Sequence, residues 1–151
     1  MKRWWMVGLL ASLALNATAT EISVGITRTP AGGGKNGAVV FLDQPFSTQR
    51  ALQPVGSVGV VVGKGTSQDQ VNRTVGVVAG GARWNFRSPW FFQFEVGAVT
   101  GHTQALSSTW QFVSSLGWHH GPAVVQIRHI SNGGTQGRNA GETMLLFGWS
   151  F

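Results

Sequence analysis

Beyond about residue 20, apolar and polar positions alternate with a period of two along most of the chain. That alternation predicts strands with one apolar and one polar face. Eight segments carry it: residues 21–29, 37–44, 55–63, 73–86, 90–100, 109–120, 123–131 and 142–151. Good helix candidates are missing. In the last segment Leu145, Phe147, Trp149 and Phe151 share one side, and Met144, Leu146, Gly148 and Ser150 the other. In the fifth, Phe92, Phe94, Val96 and Ala98 oppose Gln93, Glu95 and Gly97. In the seventh, Ala123, Val125 and Ile127 oppose Gln126 and Arg128. Charge on one face and bulky apolar groups on the other suit a small barrel in lipid. Glu95 and Arg128 then both point inward and are expected to neutralise each other, since a buried charge without a partner is costly.

The connections support a barrel. "NFRSPW" and "HHGP" are tight, whereas "TPAGGGKNG", "GKGTSQDQVN", "TGHTQALSS" and "NGGTQGRNAG" are longer and polar. Outer-membrane barrels have short periplasmic turns and longer external loops. Starting the first strand on the periplasmic side puts all four long loops outside. The connection around residues 45–54 is too long for a tight turn and fits this scheme poorly. Glycines within the strands permit the bends by which a small sheet closes.

Two features decide between a membrane barrel and the competing reading, a soluble β-sandwich with the same alternation. The aromatics Trp84, Phe86, Trp90, Phe91, Trp118, Trp149 and Phe151 fall near predicted periplasmic strand ends, where flat amphipathic rings suit the headgroup boundary. Phe151 also ends a run of alternating apolar residues, like the terminal signature of outer-membrane barrels. The predicted fold is therefore all-β, an eight-stranded antiparallel transmembrane β-barrel of the outer membrane.

Composition places the barrel in the cell envelope. The opening "MKRWWMVGLLASLALNATA" has a basic start, an apolar stretch and Ala17-Thr18-Ala19 as a small-residue cleavage site, the order of a secretory signal peptide. Its apolar stretch is shorter than the roughly 20 residues that a spanning helix needs. The expected division is a signal peptide over residues 1–19 and a barrel domain over residues 20–151. With no cysteine, the exported domain is held together without disulfides. Of 11 Lys+Arg and 5 Asp+Glu, Lys2 and Arg3 leave with the signal, so the remainder carries a net +4 (9 against 5). For an exported protein, that charge favours anionic lipid or lipopolysaccharide phosphate over nucleic acid. Lys35, Lys64, Arg73 and Arg138 lie in or beside the external loops, as solvated charges or as phosphate contacts.

The chemistry concentrates in "RHISNGG", residues 128–134, at the end of the seventh strand. His129 and Ser131 are two apart and so share a face. That face also carries Val125 and Ile127, so the pair points to lipid near the outer leaflet. Polar groups there are functional hypotheses by default. A serine becomes a nucleophile when a base takes its proton, and His129 is positioned by sequence to be that base. A carboxylate on the other ring nitrogen fixes the tautomer and stabilises the imidazolium. Of Glu21, Asp43, Asp69, Glu95 and Glu142, the last opens the neighbouring strand and is the nearest candidate. Asn132 offers a side-chain amide, and Gly133 and Gly134 offer backbone N–H groups, to a developing oxyanion. His102, His119 and His120 resemble metal ligands only by residue type, and "HHGP" reads better as a turn; no metal site is expected. "TPAGGGKNG" lacks the elements of a phosphate-binding loop.

The run "HISNGG" followed by "NAGE" resembles the lipid A 3-O-deacylases of the outer membrane, the PagL family. Those are eight-stranded barrels with H-x-S-N-x-G near the end of the seventh strand, then N-x-G and a glutamate at the start of the eighth. The resemblance implies a cofactor-free serine hydrolase that removes the 3-O-linked acyl chain of lipid A. By that likeness Ser131 is the nucleophile, His129 the general base, and Asn132 with the Gly134 amide the oxyanion hole. Asn139 and Gly141 shape the loop before the acid. The expected partners are lipopolysaccharide and outer-membrane lipid, not nucleic acid, with a homodimer left open.

One position departs from the family pattern. There a residue usually separates the glycine from the glutamate; here Glu142 follows Gly141 directly, and Thr143 occupies the acid's place. By strand parity Thr143 faces outward and Glu142 inward. A bulge at Gly141 that turns Glu142 outward is the expected solution; a differently supplied acid or weak activity are the alternatives. On the bulge reading Glu142→Gln cuts turnover sharply. A non-enzymatic structural or adhesive barrel is the competing function, and a barrel acyltransferase a third.

Overall fold

The computed structural model describes residues 19–30, 36–47, 51–63, 65, 71–135 and 140–151. The expected signal peptide, apart from its last residue, lies outside that set, as do Lys35, Lys64, Asp69, Arg138 and Asn139. The described residues form eight strands: β1 (Glu21–Arg28), β2 (Gly37–Pro45), β3 (Leu52–Val61), β4 (Val75–Arg87), β5 (Trp90–Val99), β6 (Trp110–His120), β7 (Ala123–Ser131) and β8 (Glu142–Ser150). Each pairs antiparallel with the next, and β8 pairs with β1, so the sheet closes and leaves no free edge. Closure satisfies the backbone within the sheet, the condition for crossing hydrocarbon with strands.

Alternation along the strands becomes inside and outside. Ile22, Val24, Val60, Phe94, Leu116, Ile127, Leu145 and Phe147 stand on the outer face, with exposures from 37% to 55% apart from Ile127 at 56%. An apolar belt this continuous is far larger than a water-soluble monomer tolerates. Trp84, Phe86, Trp90 and Trp149 also lie on the outside near the ends joined by short turns, as an interfacial girdle requires. The protein is a transmembrane β-barrel of the outer-membrane type. The strand ends joined through residues 46–51, 88–89 and 121–122 lie at one end, with Thr20 and Phe151. The strand ends joined through the longer connections, residues 29–36, 62–74, 100–109 and 132–141, lie at the other, the external end.

An eight-stranded barrel encloses only enough space for side chains, and here they fill it in layers. Toward the periplasmic end, Arg83 donates to both Glu21 carboxylate oxygens (2.5 and 2.7 Å) and through Nε to Gln93 Oε1 (2.8 Å). Next, Arg128 Nη2 donates to both oxygens of Asp43 (2.7 and 2.9 Å), and its Nε donates to Ser115 Oγ (2.9 Å). Toward the outside, Val39, Val61, Val75, Val77, Val113, Ile130, Met144 and Leu146 form an apolar plug. Ala105 and Leu106 join it from the 100–109 loop and are fully buried.

Three expectations are corrected here. Arg128 pairs with Asp43 rather than Glu95, whose carboxylate instead accepts from Ser57 Oγ (2.7 Å) and Gln93 Nε2 (2.7 Å). Phe91 is no girdle residue. It is fully buried in the lumen beneath the Arg83 guanidinium, 4.2 Å from its ring centre, and the missing Cβ of Gly117 makes room for it. Strand β3 begins at Leu52, three residues earlier than expected. Pro54 lies within the strand, and its carbonyl accepts the Phe46 N–H at 3.0 Å, which shortens the connection that had fitted poorly.

Candidate functional site

Strand β7 rises from the turn at residues 121–122 and ends at Ser131, beside the external 132–141 loop. Its inward positions carry Gln126, Arg128 and Ile130, all buried. With those three anchored in the lumen, period two turns His129 and Ser131 outward, and both are half-buried at the external end of the lipid face. The inward anchoring fixes the register of the whole strand, because a slip of one residue would place Arg128 in lipid.

The neighbours of the pair follow from the ladders. On β6, Ser114 stands beside His129 and Phe112 beside Ser131. On β8, Thr143 stands beside His129, and Glu142 beside Ile130. The His129 ring nitrogen Nδ1 shares a hydrogen bond with Thr143 Oγ1 at 3.0 Å. Gly141 lies over the other side of the ring. At φ +69° it occupies the left-handed region, and a Cβ there would sit 2.7 Å from His129 Cε1 and 2.8 Å from Nε2. A side chain at position 141 is therefore opposed twice, by backbone conformation and by the imidazole. No hydrogen bond joins His129 to Ser131 among the described residues.

The bulge expected at Glu142 does not occur. The β7–β8 register runs without interruption from Ala123↔Trp149 to Ile130↔Glu142, so parity holds and Glu142 points into the barrel. It is fully buried, accepts from Thr27 Oγ1 at 2.6 Å, and is also bonded by Thr29 Oγ1. These hydroxyls stabilise the carboxyl group where it stands, and turning it outward would break both bonds. The residue against His129 Nδ1 is Thr143, which the family pattern had marked as the acid's place.

The expected oxyanion donors are also engaged. Asn132 is buried, and its side-chain Oδ1 accepts the Gly134 N–H at 2.9 Å, while its Nδ2 lies 3.5 Å from Ser107 Oγ. Asn132 and Gly134 thus bond to each other and shape the turn after β7. The Asn132 backbone carbonyl also accepts from the Thr135 hydroxyl at 2.7 Å. Gly133, between them, is exposed, and the site where its Cβ would be lies 3.4 Å from the Phe112 ring, on the side of the sheet that bears Ser131. The structure thus groups His129, Ser131, Thr143, Gly141 and Gly133. It separates Glu142 from them by the barrel wall, and Asn139 lies outside the described residues. Sequence parity had already signalled the outward position of Thr143; no pattern pointed to its bond with His129.

The external loops brace this end. The Gly141 N–H donates to the Ala105 carbonyl at 3.0 Å, and Thr103 Oγ1 accepts the Leu106 N–H at 3.0 Å. Loop 100–109 therefore ties the segment before β8 to the plug of the barrel. His102 bonds Thr109 Oγ1 (3.0 Å) and His119 lies 3.7 Å from Glu21. His102 and His119 stand at opposite ends of the molecule. Among the described residues no group of three or more metal-ligating side chains occurs.

No family model matches the chain, and no curated protein matches its sequence. Among solved structures it is similar to the outer membrane protein Ail of Yersinia pestis in a phospholipid bilayer nanodisc, with a TM-score of 0.59 and 16% identity over 88% of this chain and 99% of Ail. At that identity the likeness concerns the fold.

Proposed function

We propose that this outer-membrane barrel is a lipid A deacylase that hydrolyses the 3-O-linked acyl ester from within the outer leaflet. The observation that carries the reading is an outward-facing serine and histidine at the external end of β7, with the imidazole held through Nδ1 by Thr143. A histidine on a lipid face is costly unless it is used. The location suits a substrate whose acyl chains already lie against the barrel.

In this mechanism Ser131 Oγ attacks the ester carbonyl carbon while His129 takes the hydroxyl proton. In the tautomer whose Nδ1–H donates to Thr143 Oγ1, Nε2 is the basic nitrogen, and it takes the Ser131 proton once the His129 side chain turns toward that hydroxyl. Catalytic hydrogen bonds are commonly loose before substrate binds. The tetrahedral oxyanion is met by the Gly133 N–H. Collapse breaks the bond to the sugar oxygen, which leaves with the proton from His129. Water, deprotonated by His129, then releases the fatty acid from Ser131. Thr143 orients the ring but carries no charge to stabilise the imidazolium, so the expected enzyme is slower than one with a carboxylate there.

The second reading is a non-enzymatic outer-membrane barrel. It draws on the neutral residue beside His129 and on the absence of a His129–Ser131 hydrogen bond among the described residues. Mass spectrometry of lipid A from cells expressing the wild type or Ser131→Ala separates the two. Loss of one hydroxyacyl group with the wild type alone supports hydrolysis; identical spectra support the second reading.

A further inference from the structure

We infer that Arg28 is the headgroup anchor of the site, binding a phosphate on the same lipid A molecule whose ester meets Ser131; the inference rests on the hydrolase reading above. Arg28 ends β1 on the outward face, is exposed, and pairs across the β1–β8 ladder with Thr143. Thr143 in turn pairs with His129. Two strand spacings of about 4.8 Å therefore separate the Arg28 and His129 backbones, and the arginine side chain can close much of that distance.

The surface around Arg28 is shaped for an amphiphile. A groove of about 540 Å³ is bounded by Arg28, Asn36 and Thr143 at its external end and by Ile26, Ile127 and Leu145 below. Ile127 and Leu145 also border a second, almost wholly apolar groove of about 380 Å³ that runs to Trp90 and Trp118. The two grooves share Ile127 and Leu145 on the lipid face, with a cation at the headgroup end and apolar walls below it. Among the described residues no acid or hydrogen bond engages the Arg28 guanidinium, which leaves its planar fork to an external anion. A guanidinium matches phosphate in bidentate geometry better than an ammonium does. The charge, the depth and the adjacency to Thr143 together select a phosphate carried close to the ester, on the sugar that bears it, rather than a distant one.

The test compares wild type and Arg28→Gln on lipid A with its phosphates and on enzymatically dephosphorylated lipid A. On the phosphorylated substrate Arg28→Gln is expected to raise KM about ten-fold, the loss of one charge-assisted contact, with kcat within about three-fold. Arg28→Lys should recover part of the loss. On the dephosphorylated substrate the two proteins should differ by less than about two-fold in KM. Equal KM values for both proteins on phosphorylated lipid A would overturn the anchor. Binding is measured separately in nanodiscs on the Ser131→Ala background, so an inactive wild type counts against the hydrolase reading alone. There, weaker binding of phosphorylated lipid A by the Arg28→Gln variant supports the anchor, and equal binding overturns it. Competition by phosphatidylglycerol as effective as that of phosphorylated lipid A also overturns it, since Arg28 would then be a general contact for anionic lipid.

Discussion

The lumen and the lipid face of this barrel treat their polar residues in opposite ways. Inside, Arg128 is held by Asp43 and Ser115, Arg83 by Glu21 and Gln93, and Glu142 by Thr27 and Thr29. Outside, at the end of β7, His129 has one hydrogen bond, to a threonine, and Ser131 has none among the described residues. Among the described residues every carboxylate (Glu21, Asp43, Glu95 and Glu142) is committed to the interior, where it balances an arginine or accepts from hydroxyls. Charges near a site need not belong to it. In a closed barrel a single step along a strand moves a side chain from network to membrane.

The largest expected effects come from removing a member of each region. Ser131→Ala should lower deacylation by at least about 1,000-fold, measured as fatty acid released, because loss of the nucleophile leaves only binding and oxyanion contacts. Its unfolding midpoint in detergent should stay close to that of the wild type. Arg128→Ala should do the reverse in kind. It leaves Asp43 buried without its partner, at a cost of about 3–5 kcal/mol, seen as early loss of the heat-modifiable folded band on electrophoresis. A stable Arg128→Ala barrel would break the contrast at its interior end.

Smaller effects sharpen the outer end. Gly141→Ala must adopt a left-handed backbone and displace the His129 ring, so turnover should fall by roughly 100-fold, on the scale of a misplaced catalytic group. Thr143→Glu should place a carboxylate against Nδ1 and raise kcat by about ten-fold or more, while Thr143→Val should lower it. A decrease with Thr143→Glu would show that this position does not orient the imidazole. Glu142→Gln should change kcat by only a few-fold. It weakens charge-assisted bonds to Thr27 and Thr29 and so should cost about 1–2 kcal/mol of stability, read from urea unfolding of the refolded barrel.

Much of this arrangement was legible because period two is rigid. Alternation alone placed Phe94, Ile127 and Phe147 outside and Gln93, Gln126 and Arg128 inside, and the ladders agree. The same rule put His129, Ser131 and Thr143 on one face and Glu142 on the other. The bulge was expected because a carboxylate was wanted beside His129, and that chemical demand is weaker than the hydrogen bonds holding Glu142 inside. Phe91 shares parity with Gln93, so its lumenal position was also available; its aromatic character suggested a girdle instead. The partner of Arg128 was not legible. Which lumenal residues meet depends on strand tilt and stagger around the closed barrel, and parity says nothing about height. Pro54 fell in the connection that fitted poorly, yet it lies within β3 and its carbonyl accepts the Phe46 N–H.

Purified barrel in proteoliposomes containing lipid A gives the most direct test of outward-facing hydrolysis. Wild-type protein should release free 3-hydroxy fatty acid in proportion to the lipid A lost, and Ser131→Ala should release at least about 1,000-fold less. Intact lipid A after prolonged incubation with folded wild-type barrel, or equal release by both proteins, would contradict Ser131 as a lipid-facing nucleophile.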